Sequence, residues 1–199
     1  MSGAGLSDAG MTGVDQIVHG HWWMVGCAVL YLVWWCVFFA PTPAGEKPSP
    51  AGLLNATGVV CILGAVVCGG LAVQQMVAGM AGLGRTVVSG LWIDLGCIAL
   101  YGVLLAITVR FFDRPVTTEL ALFCAWTALE LNVANHLAAQ PAVAGAAVVL
   151  LVVLTLATLA ACTVCYTLYY RLPYVQSFWD GCIPLALVGV VSAVIALAL

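Results

Sequence analysis

From position 21 to position 199 the sequence is a succession of apolar runs, each long enough to cross a bilayer, joined by short links rich in proline or glycine. A crossing helix needs about 20 apolar residues. In lipid, every backbone N–H and C=O must find its partner inside the protein, so only helices and closed barrels can span. Barrel strands would be short and would alternate apolar and polar side chains. The runs here are long and do not alternate. The pattern therefore predicts an all-α integral membrane protein of six transmembrane helices, at about 21–40, 52–76, 86–111, 116–137, 143–170 and 174–199, after a short polar tail over 1–18.

The breaks have chemical causes. PTPAGEKPSP (41–50) carries four prolines, which lack the N–H a helix needs. AGMAGLGR ends the second run in glycines, FFDRP places Pro115 at the first turn of the fourth, and Arg171-Leu172-Pro173 stops the fifth. Links this short force neighbouring helices to run antiparallel.

Composition narrows the function classes. Hydrophobic residues make up 64 % and charged residues 7 %, against about 25 % charged in an ordinary soluble domain. A soluble enzyme of this size could not cover that much apolar surface. The five basic residues form no patch for a nucleic acid. Lys47, Arg110, Arg114 and Arg171 fall in the first, third and fifth links, and only Arg85 lies on the other side. The positive-inside rule then predicts cytoplasmic first, third and fifth links, outward termini and a plasma (inner) membrane location.

Two segments resemble each other. Ser89, Trp92, Asp94, Gly96-Cys97-Ile98 opens the third run, and Ser177, Trp179-Asp180-Gly181-Cys182-Ile183 opens the sixth. Three helices separate them, so the copies would enter the membrane from opposite faces. A 3+3 inverted-topology repeat, with its site near the interface of the halves, is the corresponding expectation. Chance matching is the plain alternative in a chain so rich in Gly, Ala, Leu and Val.

Four carboxyl groups fall inside predicted spans without a Lys or Arg: Asp94, Glu119, Glu130 and Asp180. A charge at mid-bilayer costs about 2.5–3.5 kcal/mol on insertion scales, so each needs a partner, a cavity or a proton. At about 1.5 Å rise per residue, Asp94 and Glu130 form an outer pair and Glu119 and Asp180 an inner pair. Glu119, Phe123, Trp126 and Glu130 share one helical stripe; Asp94, Cys97 and Tyr101 share another. Such a seam could pass protons or small cations, with Asn135, Tyr101 and Trp126 as polar and aromatic contacts and Asn132, Gln74 and Gln75 at the outer mouth. The competing reading makes the acids neutral, hydrogen-bonded links between helices.

His19, His21 and His136 all fall at the predicted outer side. They could ligate zinc or copper, and His21 with His136 could bracket a haem b; interfacial rings beside Trp22 and Trp23 are the simpler reading. Trp34, Trp35, Phe38 and Phe39 read as the matching inner aromatic belt. All nine cysteines lie in predicted spans, which excludes a secreted disulfide scaffold. Cys162 and Cys165 read as packing neighbours at i and i+3.

The sequence thus predicts a carrier or channel-like protein for protons, cations or a small cationic solute. A metal- or haem-binding redox subunit, or a non-catalytic subunit or assembly factor of a membrane complex, is the alternative. No cofactor or catalytic residue is singled out. The expected partners are the bilayer, a proton or small cation, a second copy of the chain or a membrane-complex subunit, and no nucleic acid.

Overall fold

The computed structural model describes residues 4–46, 52–112 and 118–199, with side chains from Thr12 onward; Lys47 and Arg114, half of the basic set behind the orientation, lie outside the described residues. The described chain is helical throughout: α1 (Ala4–Phe39), α2 (Leu53–Leu83), α3 (Gly90–Phe112), α4 (Thr118–Ala138), α5 (Gly145–Leu168), one 3-10 turn (Tyr169–Arg171) and α6 (Tyr174–Ala198). Five of these are long and apolar enough to cross a membrane: α1 from Thr12, α2, α3, α5 with its 3-10 turn, and α6. The expectation of six spans is met for five. α4 falls short because Glu119, Glu130, Asn132, Asn135 and His136 crowd its 21 residues.

α1 lies along α2 and α6, α5 lies between α4 and α6, and α2 also reaches α4. α3 sits at the edge against α4. It buries only Cys97 and Thr108, while Leu91, Trp92, Ile98, Val103 and Phe111 face outward. The two similar segments therefore open helices with different surroundings. α6 is held between α1 and α5, and α2 and α3 make no contact comparable to that of α5 with α6.

The largest departure from the sequence reading is at the N-terminus. Residues 4–18, expected as a polar tail, are helix. At the facing end α2 continues to Leu83, through residues expected as a turn, and stops at Gly84 (φ 66°), a left-handed position that glycine adopts without strain. The two extensions pack on each other. Ile17 is fully buried. A Cβ on Gly79 would stand 2.6 Å from the Gly13 carbonyl oxygen, so only glycine permits this approach. Low hydropathy suggested a tail; glycine-mediated packing makes it a helix.

The core lies where α1, α2, α4, α5 and α6 converge, around Ile17, Met76, Val133, Leu137, Leu151 and Ile195. It is packed mainly at the end where α1 and α4 carry their histidines.

Candidate functional site

At the centre is a pair that joins the first helix to the fourth. His21 and Glu130 are both completely buried, with Nε2 3.1 Å from Oε2. His21 is about 13 Å along α1 from Thr12, and Glu130 about 12 Å along α4 from Ala138, at 1.5 Å per residue. His21 Nδ1 lies 2.9 Å from the Ile17 carbonyl oxygen. A carbonyl can only accept, so Nδ1 carries a hydrogen. Nε2 and Oε2 therefore share a single proton, as carboxylic acid with imidazole or carboxylate with imidazolium. The second carboxyl oxygen, Oε1, has no hydrogen-bond partner.

Among the described residues, Trp126 Nε1, Thr155 Oγ1 and Ser192 Oγ are also buried without a hydrogen-bond partner. Trp126 precedes Glu130 by one turn on the same stripe of α4. Elsewhere, Thr57, Thr108, Thr127, Thr163 and Thr167 each donate to a carbonyl of the preceding turn, the usual outlet for a hydroxyl in an apolar helix. Thr155 and Ser192 depart from that habit although both are fully buried. An orphaned buried polar group costs about 1–3 kcal/mol, so this layer is not optimised for stability alone.

Below this layer is a partly open cavity of about 90 Å³, near the end of the bundle formed by the start of α4, the end of α5 and the start of α6. Glu119 and Asp180 both line it, so the predicted inner pair is brought to one space. Asp180 is 8 % exposed and the Cys165 thiol is within hydrogen-bonding reach of it. Phe123, on the same stripe as Glu119, is also part of the wall. Along α4, Glu130 is about 16 Å from Glu119; along α5 and α6, Thr155 and Ser192 are about 15 and 18 Å from the Cys165–Asp180 contact. Thr155 and Ser192 thus lie at about the depth of the His21–Glu130 pair, and along α4 Phe123 and Trp126 come between that level and the cavity.

The predicted outer pair is not formed in this way. Asp94 is exposed and accepts from the Asn132 amide at 2.8 Å. Asn132 and Glu130 are two positions apart, about 200° around the helix, so Asp94 and Glu130 face different sides of α4. Asp94, Cys97 and Tyr101 line a separate cleft with α4 residues Ala121, Cys124 and Ala128. Asn135 is a structural clamp: its Oδ1 accepts from Val87 and Val88 N–H, and its Nδ2 donates to the Val88 carbonyl, holding the link into α3.

The three histidines do not share a site. His19 and His21 are also about 200° apart: His19 is exposed with Nδ1 against the Asp15 carbonyl, while His21 points inward. His136 is partly buried, with Nδ1 2.9 Å from the Asn132 carbonyl. Both ring nitrogens of His21 are already engaged, so the expected pairing of His21 with His136 around a haem is not what the side chains form. Among the described residues no three His, Cys, Asp or Glu side chains are grouped as metal ligands.

Sequence reasoning missed Tyr31, Trp35 and Tyr166 as cavity residues. Trp35 was assigned to an interfacial belt, but its Nε1 donates to the Phe178 carbonyl at 3.1 Å and it is one of the cavity-lining residues. A Cβ on Gly181 would stand 2.4 Å from that ring; the glycine in the α6 segment is the sequence signal of this contact. Arg171 rests over Phe112, 4.9 Å from the ring centroid.

No family model, no curated protein and no solved structure matches this chain.

Proposed function

We propose that the chain moves protons, or exchanges a proton for a small cation, along the buried stripe of α4. The observation that carries this reading is the buried His21–Glu130 pair, which shares one proton and leaves Glu130 Oε1 open to a further partner. An ionisable residue inside a membrane bundle is expensive and marks ion pathways or proton relays more often than scaffolding. Glu130 and His21 hold the transferable proton. Thr155 and Ser192 supply hydroxyl groups that water or a cation would use beside it, and the Trp126 indole N–H supplies a donor to water. The cavity with Glu119 and Asp180 is one mouth of the route.

In this proposal α4 is the sixth crossing, shielded by its neighbours rather than by its own hydropathy. The cavity end, with Arg171 and Arg110, is cytoplasmic, and both termini face outward across a plasma (inner) membrane. The two similar segments place Asp180 at the cavity and Asp94 at the opposite end, as the halves of an inverted repeat would.

Proton flux into liposomes containing the purified chain, read with an entrapped pH dye under an imposed potential, tests this. Glu130→Gln keeps the shape and one hydrogen bond to His21 but cannot release a proton. A drop in flux of about tenfold or more is expected, as for loss of a positioned acid or base. Flux equal to the parent chain would remove Glu130 from the route and with it the proposal.

A further inference from the structure

The walls of the cavity are aromatic. Tyr31 and Trp35 come from α1, Phe123 from α4, Tyr166 from α5 and Tyr169 from the 3-10 turn. Trp35 and Tyr169 are in tilted contact, 6.0 Å apart at an interplanar angle of 60°, and Trp35 and Tyr31 are each backed by a stacked ring, Phe39 and Trp34. Glu119 and Asp180 enter from α4 and α6, and among the described residues no Lys or Arg lines the cavity. Arg171, a basic residue at this end, is held over Phe112.

Aromatic faces are negative and attract cations that carry little hydration, and carboxylates fix the sign of the ligand. A hard inorganic cation needs six or more oxygen ligands at short distance; a box of ring faces with two carboxyl groups does not provide them. The cavity volume is about 90 Å³, below the range of about 300–1,000 Å³ usual for drug-sized ligands, so it suits a compact cationic head group whose body stays in the open side of the cavity. The walls are assembled from four helices and a turn, and Gly181 lets Trp35 approach α6 closely. The cage is therefore part of the fold.

We propose that this cavity binds a monovalent organic cation with an apolar or aromatic body, of the quaternary-ammonium class, with Glu119 and Asp180 as counter-charges and Trp35, Tyr31 and Tyr166 as the cage. This deepens the transport proposal by naming a solute class, and it rests on that proposal only for what happens after binding.

The test is calorimetric titration of the full chain in detergent with benzyltrimethylammonium, and with its uncharged isostere neopentylbenzene under the same conditions. Saturable binding of the cation alone is expected, which needs no variant. Glu119→Gln and Asp180→Asn are each expected to weaken it about tenfold, and Trp35→Leu severalfold, on monodisperse protein with unchanged helicity. Asp94→Asn, outside the cavity, removes the same charge and is expected to leave the titration unchanged. Equal binding of the isostere, no saturable heat from the cation, or full affinity in both acid variants would overturn the inference. Binding without proton flux would leave this inference standing and end the transport proposal; flux without binding would do the reverse.

Discussion

Glu130 and Asp94 invite comparison because each is an acid near the same end of its helix and each is bound to one neighbour. Their surroundings could hardly differ more. Glu130 is sealed between α1 and α4, shares a proton with His21 and keeps one oxygen without a partner. Asp94 is exposed on the edge helix and accepts an ordinary amide hydrogen bond from Asn132. Depth along a helix is easily counted, but the direction a residue faces decides its chemistry. A two-residue step around α4, from Glu130 to Asn132, separates a sealed proton site from an open, solvated-type contact.

The comparison can be broken most sharply at His21. His21→Ala strands the Glu130 carboxyl in an apolar core, and removing one member of a buried pair costs about 3–5 kcal/mol. Thermal unfolding in detergent should show that loss. The double substitution His21→Leu with Glu130→Leu should recover most of it, because replacing both members by apolar groups is often neutral. Next in size is Asn135→Ala, which leaves Val87 and Val88 N–H without their acceptor. A loss of about 1–3 kcal/mol is expected, with faster hydrogen exchange confined to the link before α3. Gly79→Leu tests the N-terminal packing: the side chain would strike the Gly13 carbonyl, and overpacking of about 1–3 kcal/mol should free the first turns of α1 to proteolysis. The smallest effect belongs to Asp94→Asn. Asn keeps an acceptor for Asn132, so stability should change by about 0–1 kcal/mol, the usual range for an exposed polar pair. A stability loss as large as that of His21→Ala would erase the distinction between the two acids.

Much of the helical layout was legible in the sequence. The ends of α3, α5 and α6 fall within a few residues of the predicted spans, because prolines and glycines punctuate unbroken apolar runs there. Residues 4–18 were not legible as helix, since their composition is that of a tail and their helix depends on α2 lying against them. At the candidate site, the stripe Glu119–Phe123–Trp126–Glu130 was readable from spacing, and so was the common depth of Glu119 and Asp180; that both line one cavity was not, because it depends on how α4 and α6 turn toward each other. The partner of Glu130 was not: His21 was expected at a membrane surface because α1 was expected to begin there. Moving the start of α1 outward carries His21 inward to the level of Glu130. Trp35 was likewise masked by its neighbours, as four aromatic residues in six positions look alike until the chain shows which one turns inward.

The shortfall of α4 in apolar character has a consequence for biogenesis. If α4 is the sixth crossing, as proposed, a helix carrying two carboxyl groups gains little by entering lipid alone and would be retained beside the segments already made until Glu130 meets His21. The pair joins residues from the first and fourth helices, and its closure would then report that the first four helices have been correctly assembled. A nascent chain in which that meeting fails would display a bare acid within the bilayer, a mark by which cellular surveillance could recognise it.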